Sequence, residues 1–213
     1  MFFLPSRSRP HNLLRFLDAW DETRATERVL LILDRDDPTL PQYRQILLPP
    51  SWLLFLTPPD PAFVGPKLNM AFHTFPTEPF YGALADDIVP RTMNWDKLLA
   101  AAANNHNVAW PDDTIQGAGL CTHFVVGGDL VRRYGWFSLP GLKGLYIDNV
   151  WMHIGGALNR LCYLPGVILE HRHWSNNKAP LDASYERHSH YVEDREVFER
   201  WWATWETAHA KSN

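Results

Sequence analysis

Cysteine is nearly absent. Cys121 and Cys162 are the only two in 213 residues, far apart and outside any C-x-x-C spacing. That excludes a disulfide framework and a zinc knuckle, and leaves reduced thiols in a cytoplasm as the simplest expectation. Also missing is any run of 18 or more apolar residues. Met1 to Leu4 gives way at once to Pro5, Ser6 and Arg7 rather than to the apolar region of a signal peptide. A soluble, unexported, cytoplasmic chain without a membrane anchor is therefore expected. Positive charge is not in excess either. A formal net charge of -4 argues against attachment to nucleic acid through charge alone, which depends on Lys and Arg neutralising phosphates, although a local basic groove is still allowed. The sequence shows no internal repeat, low-complexity tract or linker, and its length suits one core that buries roughly 70% of the unfolded chain's surface.

What is abundant is aromatic: 10 Trp, 7 Tyr and 11 Phe. Aromatic side chains line many sites for flat or sugar-like ligands, but the default place for most of them is the core. Short apolar runs at Phe2–Leu4, Val29–Leu33, Trp52–Leu56 and Phe80–Leu84 read as strands, each ending in a polar loop. Helical spacing follows over Leu13–Trp20, Lys67–Phe75 and Trp95–Ala103. This alternation predicts an α/β fold, a mostly parallel sheet flanked by helices. Cys121–Val126 and Asp129–Tyr134 read as a strand and a helix, and Asp148–Leu158 as a further helix. Cys162–Leu169, interrupted by Pro165-Gly166, reads as an edge strand. Tyr191–Ala210 is expected to be an amphipathic helix that docks Phe198, Trp201, Trp202 and Trp205.

In an open parallel sheet, ligands bind beyond the carboxyl ends of the strands. The loops there supply Ser6, Arg7 and Arg9, then Asp34, then Asp86 and Asp87, and finally Glu170, His171 and His173. Singly, each has an ordinary explanation as a turn, a cap or a surface pair. Together, carboxylate oxygen and imidazole nitrogen suit a divalent ion such as Mn2+ or Mg2+, which a nucleoside diphosphate also favours. Asp148, following Leu145-Tyr146-Ile147, is placed either to accept a proton from an acceptor hydroxyl or to cap its helix.

The ordered set of segments resembles GT-A-fold, family-2-like nucleotide-sugar glycosyltransferases, including small phage and bacterial members. Pro5-Ser6-Arg7-Ser8-Arg9-Pro10 is similar to the first-strand loop that approaches the nucleotide base. Asp34 matches the acidic residue near uracil or ribose, and Lys67 and Asn69 match the basic residue and Asn of the helix before the metal motif. Ala85-Asp86-Asp87 stands in place of the Asp-x-Asp motif. Phe124-Val125-Val126-Gly127-Gly128-Asp129 and Tyr134-Gly135-Trp136-Phe137 resemble the acceptor-side segment. The resemblance implies Asp148 as catalytic base of an inverting transfer, and Asp87 with His171 and His173 as metal ligands. It implies Pro5, Ser6, Arg7, Arg9, Asp34, Lys67, Asn69 and Asp86 as the nucleotide-sugar site, with a UDP-sugar as donor, and Gly128 and Trp136 beside the acceptor. Residues 1–174 would form the catalytic domain, with 175–213 as a helical extension packed on it.

Asp112-Asp113 and Gln116 either line the acceptor side or form a solvated turn, the latter being the simpler reading. His188 and His190 read as an exposed approach to the last helix. Because some phage enzymes of the class act on hydroxymethylated pyrimidines, modified DNA is the leading acceptor, with a glycan or lipid-linked saccharide as the alternative. A nucleotidyltransferase would carry a Gly-rich basic first loop, and Pro5–Pro10 has no glycine. A carbohydrate-binding module would leave the ordered acids and histidines unexplained.

Overall fold

The computed structural model describes residues 1–58, 63–182 and 190–210, so His188 lies outside the described residues. The elements run β1 (Phe2–Ser6), α1 (Pro10–Glu22), β2 (Val29–Asp34), α2 (Leu40–Tyr43), β3 (Trp52–Thr57), α3 (Val64–Thr74), β4 (Phe80–Ala83) and β5 (Ile88–Pro90). They continue with α4 (Trp95–Ala103), β6 (Val108–Asp112), β7 (Val125–Gly127), α5 (Gly128–Tyr134), α6 (Ile147–Ala157), β8 (Leu161–His171) and α7 (Tyr191–Ala210). The strands form one mixed sheet in the order β3-β2-β1-β4-β7-β6-β8-β5. β1, β2, β3 and β4 pair in parallel, as β6 does with β8, whereas β7 runs antiparallel to both its neighbours and β5 antiparallel to β8.

Sequence dictates position in this sheet. All six residues of β2 are buried, as expected of a continuous branched apolar run covered on both faces. β3 sits at one edge and exposes Leu53 and Leu54. Alternation along β1 sends Phe3 into one core and Phe2 and Leu4 into the other. The second core is an aromatic cluster in which Phe2, Phe16, Trp20 and Trp52 surround or adjoin Trp95, itself fully buried. Truncating such a side chain to alanine costs about 3–5 kcal/mol. The abundant tryptophans are thus largely structural, and none lines either cavity described below.

The expectation of an edge strand over Cys162–Leu169 is corrected. β8 is an internal strand of 11 residues between β6 and β5. Its register against β6 jumps from Pro111↔Leu164 to Asp112↔Ile168, so Pro165-Gly166 falls in a bulge, where a missing N–H costs nothing. Beyond the bulge β8 also pairs with β5, ending on Ile88↔His171. Neither β5 nor β6 is predicted from the sequence: β5 has three residues, and Pro111 interrupts the short apolar run of β6.

Candidate active site

The Ile88↔His171 pairing explains why distant residues meet. Asp86 and Asp87 lie between β4 and β5, and His171 is the last residue of β8. Arg172 N donates to Asp87 O at 2.8 Å, locking the two chain segments together. Asp87 Oδ1 consequently stands 3.4 Å from His171 Nε2.

Two cavities open here. One, of about 190 Å³, is lined by Pro5, Ser6, Arg7, Arg9, Val64, Lys67, Leu84, Ala85, Asp86 and Asp87. The other, of about 210 Å³, is lined by residues that include Thr122, His123, Gly144–Asp148 and His171. They share Pro5, Val64 and Leu84.

In the first cavity the polar groups hold one another in fixed positions. Ser6 Oγ donates to Asp86 Oδ2 at 2.6 Å, and Arg9 Nη1 donates to Asp86 Oδ1 at 3.2 Å. Burial and the neighbouring Asp87 nevertheless push the Asp86 carboxyl up to about 6. Arg9 also binds Asp182 through two hydrogen bonds, at 2.8 and 2.7 Å. Arg7 donates to Asp34 and Asp36 at 2.7 and 2.8 Å. Asp34 is 2% exposed and lies behind the cavity wall. It accepts from Thr57 and Arg7 and pairs with Lys67 Nζ at 2.5 Å, so its oxygens are committed to holding two cations.

Asp148 opens α6 in the second cavity, and burial raises its carboxyl to about 6. Nearby, Asp113, His123 and His171 each offer a ligand atom within 4.8 Å of the others. Asp113 is fully buried and is no solvated turn. Its Oδ1 accepts from the backbone N–H groups of Ile115, Gln116 and Gly117. Burial opposes its ionisation, but His171 and these donors prevail and hold it below the usual carboxylate range. Burial likewise opposes a proton on His171, yet Asp113 and Asp87 raise it to about 9. His123 is driven the other way, to about 3, by burial and by His171.

Two buried atoms without hydrogen bonds, Asp113 Oδ2 and His123 Nε2, belong to this group. Asp113 Oδ2 lies 3.9 Å from His171 Nδ1, and buried polar atoms without a hydrogen bond carry a desolvation cost that a cation would relieve. Carboxylate and imidazole donors together fit Mn2+ well. A metal would require His171 to lose its proton, so binding would strengthen as pH rises.

Several expected residues are placed elsewhere. His173 is close to His171, with ring centroids 5.1 Å apart, but its Nδ1 accepts from Ser175 N, capping a short turn of helix at 174–176. Asn69 does not face the first cavity: Oδ1 accepts from Phe137 N and Ser138 N, and Nδ2 donates to Ser138 O. Gly128 packs on the backbone of Glu78 and Pro79, and Trp136 packs between Tyr134 and Trp151. Gln116 belongs to the loop gathered by Asp113. None of these last four lines either cavity. Sequence reasoning missed His123 and the ligand-like role of Asp113. The available signal was a histidine set directly before the apolar run Phe124–Val126.

No helix among the described residues is long and apolar enough to cross a membrane. Comparison of the sequence with family models and with curated proteins gives no match. Solved structures do match. The mannosyltransferase PcManGT from Pyrobaculum calidifontis, in complex with GDP-Man and Mn2+, aligns over 93% of this chain with a TM-score of 0.66 and 13% identity. S. aureus TarS 1-349 in complex with UDP aligns over 79%, with a TM-score of 0.56 and 14% identity. Rv0371C from Mycobacterium tuberculosis H37Rv, in complex with manganese, aligns over 83%, with a TM-score of 0.54 and 11% identity. This chain spans 63% of the length of PcManGT and 59% of that of TarS 1-349, but 94% of that of Rv0371C. At these identities the likeness is one of fold, and the fold is the GT-A-like α/β fold that the order of motifs implies.

Proposed function

We propose that this chain is a metal-dependent glycosyltransferase that moves a sugar from a nucleoside-diphosphate sugar, a UDP-sugar by preference, to an acceptor hydroxyl with inversion. One observation carries the reading. A cavity lined by Arg7, Arg9, Lys67 and Asp87 adjoins a second cavity that holds Asp148, and His171 beside Asp87 lies at their junction. The binding of GDP-Man, UDP and Mn2+ by proteins of the same fold supports it.

In this reading the diphosphate lies in the first cavity. Arg7 and Lys67, already fixed by Asp34, face it without further reorganisation, which is the condition under which charged groups stabilise a transition state best. Asp87, His171, Asp113 and His123 are the residues that would hold the metal, with His173 behind them. A bound divalent ion supplies Lewis-acid stabilisation of the leaving diphosphate. Asp148 takes the proton of the acceptor hydroxyl as its oxygen bonds to the anomeric carbon. The bond from that carbon to the diphosphate oxygen breaks, its electron pair leaves with the nucleoside diphosphate, and a single displacement inverts the anomeric centre. Residues 1–174 carry this chemistry, and α7 packs on the same core through Val197, Phe198 and Trp201. The acceptor is a hydroxymethylated pyrimidine in DNA.

The test is incubation with mixed nucleotide sugars and manganese, followed by intact-mass analysis of hydroxymethylated oligonucleotides and of simple glycans. A hexose gain on the oligonucleotide supports the acceptor, and a gain on glycans alone replaces it. Absence of transfer, of donor hydrolysis and of any manganese-dependent thermal shift with every donor refutes the enzyme. Asp87→Ala and Asp148→Asn should both abolish transfer, with only Asp87→Ala weakening manganese-dependent donor binding.

A further inference from the structure

The wall of the second cavity is built from five consecutive residues, Gly144, Leu145, Tyr146, Ile147 and Asp148. Their path is set largely by a residue about fifty positions later. Asp194, in the first turn of α7, is fully buried and forms no ion pair among the described residues. Its carboxylate instead accepts from three successive backbone N–H groups: Lys143 and Gly144, at 2.7 and 2.9 Å, and Leu145, at 2.8 Å. Carboxylate oxygens removed from water need such donors to replace their lost hydration.

The same loop is gripped from the opposite side by α3. Gly65 N donates to Lys143 O at 2.8 Å, and a Cβ at Gly65 would fall 2.4 Å from Leu142 O, so only glycine permits this approach. Immediately after the grip, Tyr146 adopts a φ of 63° as the residue before α6. A left-handed conformation in a bulky residue is strained and persists only where its surroundings impose it. α7 provides part of that support as well: Phe198 stacks on Tyr146, with ring centroids 5.3 Å apart, and Tyr191 lies at 5.5 Å. Hydrogen bonds before the strained residue and stacking upon it fix where α6 begins, and hence where Asp148 points.

We propose that Asp194 is a positioning residue for sugar transfer, holding residues 143–146 in the path that presents the Asp148 carboxylate to the acceptor. This inference rests on the glycosyltransferase reading above. It also makes the C-terminal helix part of the acceptor site rather than an appendage to a complete catalytic domain.

The test uses the full chain with Asp194→Ala and Asp194→Asn. Transfer kinetics, calorimetric binding of UDP with manganese, and amide hydrogen exchange over residues 143–148 are measured on each. Asp194→Ala should lower kcat by about 100-fold, the size of effect that follows an ångström-scale displacement of a reacting group. It should leave UDP–manganese affinity unchanged, because neither Asp194 nor any of residues 143–148 lines the first cavity. Exchange at 143–148 should quicken, and Asp194→Asn, which keeps one acceptor oxygen, should recover part of kcat. A lowered melting temperature with kcat unchanged would reduce Asp194 to a purely structural role and overturn the proposal, as would a parallel loss of nucleotide affinity. If the unaltered chain transfers no sugar, the glycosyltransferase reading fails by itself. The clamp is then still judged by exchange, and equal protection of 143–148 in Asp194→Ala refutes it.

Discussion

Replacing Asp148 by asparagine should abolish transfer and, at neutral pH, make the protein more stable. Burial raises the Asp148 carboxyl from 3.8 to about 6, so the folded protein binds that proton more tightly than the unfolded chain. The group therefore favours the folded state below pH 4, and this contribution is lost as pH rises through 6. A tenfold change in proton affinity corresponds to about 1.4 kcal/mol, so ionised Asp148 costs the native protein about 3 kcal/mol above pH 7. Asparagine keeps a carbonyl oxygen for the hydrogen bond from Asn149 N and carries no charge to desolvate. For a chain of this size about 3 kcal/mol corresponds to roughly 6–12 °C in Tm. Thermal unfolding of both forms in EDTA, from pH 4.5 to 8.5, should show Asp148→Asn melting higher at pH 8 and the two converging towards pH 4.5. In the same range, kcat/KM of the unaltered enzyme should fall tenfold per pH unit below about 6. A Tm difference independent of pH, or an asparagine variant less stable at pH 8, would show that the carboxyl is not held up by burial and would remove the basis for its role as base.

His123→Ala should weaken manganese affinity by about 10–100-fold while leaving metal-free nucleotide binding intact. Titration of manganese by electron paramagnetic resonance would read this, and unaltered affinity would exclude His123 from the ligand set. Asn69→Ala should leave donor affinity unchanged but destabilise the fold by about 1–3 kcal/mol, because Phe137 N and Ser138 N lose their acceptor. Urea denaturation and UDP calorimetry separate these effects, and a selective loss of UDP binding would restore Asn69 to the donor site.

The sequence by itself determined the first half of the sheet, because its strands are apolar runs closed by polar loops and its helices carry a 3.6-residue period. It also determined that Ser6, Arg7, Arg9, Asp86 and Asp87 would converge, since loops at the carboxyl ends of parallel strands must share a crevice. Tertiary structure decided what each does there. Asp34 and Asp86 proved to be holders of Arg7, Lys67 and Arg9, because cationic partners from the β1–α1 loop and from α3 claim their oxygens. Asn69 turned to the 137–138 backbone. The short strands β5 and β6 carry too few residues to show a period, yet the pairing of β5 with β8 is what brings His171 to Asp87. His123 and Asp113 joined that pair only through folding, since no local spacing relates residues on separate loops. The acidic pair and the late histidine were legible as residue types. Their distances, their protonation and the dependence of the Asp148 wall on Asp194 exist only once the sheet is closed and water is excluded.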